Sequence, residues 1–271
     1  MSRSRQNAAP AGSGPAPVRG PVVPSGDETL AVSGVAADFG AGHRIARHRH
    51  LRAQLVYAIE GVMTVETNAG LWVVPPLRAL WIPPGVVHSI RMTGRVRMRT
   101  VYFDREVLAR VDVPVRCAVL SVTPLMRELA VRLVEDETLD EARRERLVAV
   151  LLDELVVAEV APLEVPMPED PRLRRVAEAL VKDPSDRRDA AAWARVAGVS
   201  ERTLARRFPD EVGMTLVRWR QQVRLLRALE RLGTGEAVTS VALEMGYASP
   251  SAFVKVFREA LGTTPGRWFA T

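Results

Sequence analysis

The last third of this 271-residue chain repeats itself, and the repeat leaves little choice of local fold. Ala194-x3-Gly198 recurs as Ala242-x3-Gly246, and Arg206-x-Phe208-x4-Gly213-x-Thr215-x2-Arg218-Trp219 recurs as Lys255-x-Phe257-x4-Gly262-x-Thr264-x2-Arg267-Trp268. The offset is 48 residues before the turn and 49 after it, so the second turn is one residue longer. Self-similarity of this kind marks one supersecondary unit used twice. The alanine lets two helices cross closely, the glycine takes the sharp turn, and Leu204 with Phe208, or Phe253 with Phe257, plugs the second helix into a core. Ser200 and Ser249 stand where each second helix needs an N-cap, because a serine oxygen accepts from an otherwise unpaired N–H of the first turn. The sequence therefore predicts two helix-turn-helix units. Between them Leu216, Trp219, Val223 and Leu226 share one face of a helix predicted over Thr215–Leu232, a rod of about 27 Å at roughly 1.5 Å per residue.

Charge points the same way. The chain carries a net +6, and the basic excess sits after Pro171, while the remainder is close to neutral. A segregated basic domain suits a polyanionic partner. Residues 187–269 resemble the DNA-binding domain of the AraC/XylS family of transcription regulators, most specifically over V-A-L-E-M-G-Y-A-S-P-S-A-F-V-K-V-F-R-E-A-L-G-T-T-P-G-R-W-F, residues 241–269. Phe269 departs from the pattern, where that family usually has a basic residue. The resemblance implies double-stranded promoter DNA and RNA polymerase as partners. It also implies a first recognition helix that begins near Ser200 and presents Arg202, Thr203, Arg206 and Arg207, and a second that presents Pro250, Ser251 and Lys255. Arg202 and Arg206 are the expected base readers, since arginine donates two parallel hydrogen bonds to guanine O6 and N7. With the half-width of each unit added to the rod, the two recognition helices reach successive major grooves about 34 Å apart.

The first hundred-odd residues have a different texture. Short apolar or β-branched runs at Gln54–Ile59, Gly61–Thr67, Leu71–Val74, Leu80–Ile82 and Val96–Phe103 alternate with turn residues such as Asn68-Ala69-Gly70, which predicts a small β-barrel or sandwich. All four histidines, His43, His48, His50 and His88, fall here. Gly42-x5-His48-x-His50-x3-Gln54-x6-Gly61 resembles the first motif of the cupin barrel, with glutamine in place of the usual glutamate, and Pro83-Pro84-Gly85-Val86-Val87-His88 resembles the second. His48, His50 and Gln54 share one parity, so in an extended chain they point to the same side. Three imidazoles and an amide oxygen suit a divalent ion such as Zn, Fe or Ni. They equally suit a ligand pocket with no metal. Tyr57, Trp72 and Trp81 are candidate walls of an effector pocket and Arg78 a candidate anion anchor; aromatic residues at strand spacing also serve as plain core.

After Cys117 the spacing turns helical, with Leu125, Leu129 and Leu133 on one face and Leu147, Leu151 and Leu155 on another, which predicts a helical hairpin. Pro162, Pro166, Pro168 and Pro171 then break the chain and predict an interdomain linker, the place where the domains' arrangement changes. The expected class is an α+β multidomain protein: a tail at 1–26 that reads as disordered, a cupin-like effector-binding barrel at 27–115, a helical hairpin at 116–165 assigned to homodimerisation, and an all-α domain at 171–271 with two helix-turn-helix units joined by a long helix. A single cysteine fits a reducing compartment. Asp153, Glu154 and Glu159 interrupt the longest apolar stretch, which argues against a membrane span, and with no secretory signal at the start the expectation is a cytoplasmic protein. The expected function is a non-enzymatic regulator of promoters that responds to a small effector or metal. Two alternatives stand beside it: a cupin-type metal-dependent enzyme carrying a DNA module, and a ligand-independent architectural DNA binder.

Overall fold

A computed structural model describes residues 30–109, 111–155 and 163–269; the tail expected at 1–26 lies outside the described residues. Strands β1 (Val32–Phe39), β2 (Arg44–His48), β3 (Ala53–Thr67), β4 (Gly70–Val74), β5 (Arg78–Ile82), β6 (His88–Phe103), β7 (Ala118–Ser121) and β8 (Glu164–Pro166) make one eight-stranded sheet. Every pairing is antiparallel. The runs Gln54–Ile59 and Gly61–Thr67 are two halves of the single strand β3, whose register against β6 shifts between Ala58 and Val62. An extra residue in one strand bends it, and here the bend folds the sheet over on itself. Side-chain parity changes at the bend: Val56 and Ala58 before it, and Met63 and Val65 after it, face the same interior with Phe39, Trp72, Leu80, Ile82, Ile90 and Met98.

Each half of the folded sheet has an outer face, and different helices cover the two. Over the first half, Leu55, Tyr57, Ala79, Trp81, Val101 and Phe103 pack beneath α2 (Pro124–Glu135) and α3 (Glu141–Asp153). The short α1 (Arg105–Leu108) leads away from β6. Met126, Leu129, Ala130 and Leu133 form the buried face of α2, while Leu125, expected on that face, is 49% exposed. The segment expected to be purely a helical hairpin opens instead with β7, whose Val-Leu pair completes the edge of β5, and it closes in β8.

That closing strand corrects the linker reading. Glu164–Pro166 pairs with β4, Gly70 opposite Pro166, and Val165 is buried. A proline is tolerated there because β8 is an edge strand, where its missing N–H costs no ladder bond. Pro171 opens α4 (Pro171–Lys182) as its first residue, with Asp170 as the cap.

Beyond it the chain is helical: α5 (Ala190–Ala197), α6 (Glu201–Val212), α7 (Leu216–Leu232), α8 (Val238–Glu244), α9 (Pro250–Leu261) and α10 (Pro265–Trp268). The long helix spans the predicted residues, with Thr215 as its N-cap. Both glycine turns have left-handed backbone, φ 66° at Gly198 and 79° at Gly246. Both close with the same bond, Val199 N–H to Ala194 O at 3.0 Å and Tyr247 N–H to Ala242 O at 3.1 Å. The one-residue difference between the repeats falls after these bonds, where Tyr247-Ala248 stands against Val199 alone. Leu204, Phe208, Trp219, Phe253 and Phe257 are buried together with α4 and the outer face of the second sheet half, Val62, Leu71 and Val73.

Candidate functional site

Three of the four histidines meet at one place. His48 lies opposite His88 in the β2–β6 ladder, and the ring centroids are 4.3 Å apart for His48–His88, 5.2 Å for His50–His88 and 5.9 Å for His48–His50. One ring nitrogen of each lies within 4.8 Å of the others. His43 stacks on Phe39 instead, at 4.7 Å. His50 and His88 are buried, and His48 is partly open.

The hydrogen bonds set the tautomers. Nδ1 of His48 faces Ala46 O at 2.8 Å, Nδ1 of His50 faces Arg52 O at 2.7 Å, and Nδ1 of His88 faces Val86 O at 2.9 Å. A carbonyl oxygen only accepts, so each Nδ1 carries the proton and each neutral ring keeps its lone pair on Nε2. Burial pushes the His88 imidazole down to about 4 and also lowers that of His50, which keeps both rings neutral near pH 7. The buried Nε2 of His88 has no partner.

Gln54 completes the group. Its Nε2 donates to Thr100 Oγ1 at 3.0 Å and Tyr102 Oη at 2.9 Å, which aims Oε1 at His50 Nε2, 3.0 Å away. Thr100 in turn donates to Leu55 O, so its hydroxyl is left to accept from Gln54. Two acceptors that face each other across 3.0 Å are unfavourable unless a cation lies between them. That spacing is also the separation expected of neighbouring ligands around an ion with metal–ligand distances of about 2.1 Å. The outer-shell pattern fits as well, since ligating imidazoles characteristically donate their other N–H to a carbonyl or carboxylate. His48, His50, His88 and Gln54 therefore have the donors, protonation and support to hold a divalent ion, once the rings draw in by roughly an ångström.

Tyr57, Trp72, Arg78 and Trp81, expected around one effector pocket, are not brought together. Tyr57 and Trp81 have the opposite parity to Gln54 and lie under the α2–α3 hairpin, with Trp81 Nε1 donating to Pro114 O at 2.9 Å. Trp72 is interior and donates to Glu164 at 3.0 Å. Arg78 lies over the Trp268 ring at 5.1 Å and so contacts α10. A cavity of about 670 Å³ exists elsewhere, outside the sheet, between β1, α1 and α3, and none of the four lines it.

On the helical side, Arg202 and Arg206 are exposed one turn apart on α6, with no ion pair or hydrogen bond to another described residue. Ser200 Oγ accepts from Thr203 N–H at 3.1 Å and meets Thr203 Oγ1 at 2.8 Å, so both hydroxyls are occupied in capping α6. Arg207 points away from the exposed pair and binds Asp170 at 3.3 Å, before α4. On α9, Pro250 occupies the first turn after the Ser249 cap, while Ser251 and Lys255 are exposed, and Lys255 lies 4.0 Å from Glu259. No helix of the described residues is long and apolar enough to cross a membrane.

Residues 31–152 match the AraC-like ligand binding domain, and residues 193–271 match a helix-turn-helix domain. The HTH-type transcriptional regulator NimR of Escherichia coli (strain K12) is 36% identical over 225 residues, covering 82% of this chain and 81% of its own. The HTH-type transcriptional regulator RipA of Corynebacterium glutamicum is 34% identical over 100 residues, 37% of this chain and 30% of that protein. Among solved structures, fatty-acid-bound ToxT from Vibrio cholerae aligns over 88% of this chain and 94% of its own, at 9% identity and a TM-score of 0.37. The chain belongs to the AraC family of transcription regulators. It is a DNA-binding regulator with an N-terminal ligand-binding domain.

In this AraC-family chain the two domains are locked through α7. Glu230, 5% exposed, accepts from Arg91 of β6 and from Arg227 of its own helix, each at 2.8 Å, and also from the Thr64 hydroxyl of β3. Gly233 sits so close to β3 that a Cβ there would lie 2.2 Å from Val62. Trp219 Nε1 donates to Pro166 O at 2.7 Å, and Arg174 donates to Asn68 O at 2.9 Å. Sequence reasoning missed Glu230, Arg91 and Thr64. A lone glutamate on a helix that reads as amphipathic gives no hint of burial; its only signal is that it follows Leu226 at i+4, on the apolar face.

Proposed function

We propose that this regulator senses a divalent metal ion (Zn, Fe or Ni) at His48, His50, His88 and Gln54, and that the metal or a ligand on it sets how tightly the chain holds promoter DNA. The observation that carries this reading is the set of three backbone carbonyls, each taking an Nδ1 proton and leaving an Nε2 lone pair turned to a shared place. The ion would act as an electrophilic anchor. Arg202 and Arg206 on α6 read base edges, Ser251 and Lys255 on α9 touch the second groove segment, and Ser200, Thr203 and Pro250 shape the helix starts from which they do so. Arg207 serves the Asp170 contact instead.

A route from cluster to DNA domain runs along two strands. Gln54 and Thr64 lie on β3, and His88 and Arg91 on β6, with Thr67 opposite His88 and Thr64 opposite Arg91. A change in the position of His88 is felt three residues on at Arg91, and so at Glu230 between the two recognition units. A metal shifts this equilibrium only as far as it prefers one arrangement over the other. The same reading takes the chain as a cytoplasmic homodimer joined through α2 and α3 that meets RNA polymerase at its promoters, and as a regulator without turnover, since Gln54 stands where an enzyme would want a titrating carboxylate. Metal analysis of the purified chain beside His48→Ala and His88→Ala tests it: one ion per wild-type chain, lost in both variants, is expected. Equal metal content in all three, or none in the wild type, would end the metal reading.

A further inference from the structure

Resting on that metal reading, we propose that the effector is a small organic anion that binds the metal directly through oxygen, and that Gln54 is the residue that reserves the charge for it. Every donor around the cluster is neutral: three imidazoles protonated at Nδ1, the Gln54 amide, and the hydroxyls of Thr100 and Tyr102 that hold the amide in place. A divalent ion bound there keeps both of its charges. His50, Gln54, Thr100 and His88 are buried, so water screens those charges poorly, and an uncompensated charge in such surroundings is costly.

Among the described residues no carboxylate acts on the two buried histidines. Among the described residues, the charged side chain felt at His50 is cationic, Arg52, and its carboxylate partner Asp104 is engaged at the guanidinium Nε, 2.8 Å away. β2 and the residues after it carry Arg44, Arg47 and Arg49, all exposed, and Arg47 donates to the neutral Asn68 at 2.6 Å. A glutamate at position 54 would cancel half of the metal's charge from within. Glutamine has the same shape and cancels none of it.

The coordination number leaves places for a ligand, and the cluster is least buried at His48. Four protein donors leave one or two positions on an ion that takes five or six. His48 is only partly buried, and Arg49 and Leu51 beside it are exposed, Leu51 at 77%, so solvent reaches the cluster from that side. A carboxylate with an adjacent hydroxyl or phenol oxygen fits best, because it fills two positions and carries the missing charge. A neutral amide of the same outline fills the space and leaves the charge standing.

The test uses the intact chain loaded with one equivalent of Co²⁺, whose visible spectrum reports its coordination. Titration with salicylate is expected to shift the spectrum saturably, and titration with salicylamide to leave it unchanged. In Gln54→Glu, Co²⁺ is held at least as tightly, and salicylate binds at least about tenfold more weakly, because the site then supplies its own negative charge. Stoichiometric Co²⁺ uptake with a spectrum indifferent to salicylate, or equal responses to acid and amide, would overturn the anion inference and leave the metal reading standing. Failure to take up Co²⁺ at all would overturn both. The wild-type comparison of acid with amide needs no variant, so it decides the matter even where Gln54→Glu does not fold.

Discussion

Replacing Glu230 by glutamine takes one charge and almost no volume out of the interface between the sheet and α7. In the wild type its two carboxylate oxygens each meet an arginine at 2.8 Å, and Thr64 donates a third bond. Glutamine keeps one acceptor and turns an NH₂ group toward a guanidinium. Breaking a fully buried ion pair costs about 3–5 kcal/mol. Arg91 and Arg227 keep 21% and 24% of their side-chain exposure, so water relieves part of that loss. The expected destabilisation is about 2–3 kcal/mol, against the roughly 0.2–1 kcal/mol of an exposed pair. Urea unfolding of the intact chain, followed by tryptophan fluorescence, reads it, and Trp219 of α7 sits at this interface, donating to Pro166 O. A double-mutant cycle with Arg91→Gln isolates the interdomain pair, with a coupling of about 1–2 kcal/mol expected. Coupling below about 0.3 kcal/mol would show that the pair is solvated and that the barrel is not latched to α7 through it.

Gly233→Ala puts a methyl group 2.2 Å from Val62 and should destabilise the docked arrangement by about 1–3 kcal/mol, seen as a lower urea midpoint; an unchanged midpoint would contradict the close packing of α7 on β3. Unfolded histidine takes up its proton near 6.5 and His88 in the fold only near about 4, so the metal-free chain is expected to hold its full stability above pH 6.5 and to lose it as pH falls towards 4. That loss amounts to about 3 kcal/mol. His88→Gln should flatten this part of the pH profile, and an equal slope in wild type and variant would remove His88 as its source. Arg206→Ala is expected to abolish discrimination at one operator position at a cost of about 1–3 kcal/mol, measured by binding to single-base operator variants. Equal losses on operator and random duplexes would make Arg206 a phosphate contact instead.

The helical half was the more legible because its signals are local. A cap, a glycine turn and a phenylalanine plug act within a dozen residues, and Ser200, Gly198 and Phe208 take those places. Parity was a poorer guide to the histidines: His48 ends β2, His50 lies in the irregular segment after it and Gln54 is on β3, so the turn between the strands sets where the three meet. Parity did carry the information that Tyr57 and Trp81 face the other way, which aromatic content alone obscured. Non-local partners could not be read. Arg78 beside Trp268, Arg207 beside Asp170 and Glu230 beside Arg91 are joined by the packing of separate elements, the last two 139 positions apart in sequence. The proline-rich stretch looked like a free linker because proline breaks helices; that it also makes an edge strand depends on β4 offering an open side.

Control of DNA binding by the histidine cluster is read in the affinity of the chain for its operator. Duplexes enriched from a randomised pool by the intact chain supply the operator, and fluorescence anisotropy measures its affinity with one equivalent of Ni²⁺ and again after chelation. Since coupling between sites is typically about 1–3 kcal/mol, the affinity should change by at least about fivefold with metal, and the change should vanish in His88→Ala. Equal affinities for the metal-loaded and metal-free wild type, with the metal shown to be bound, would contradict it.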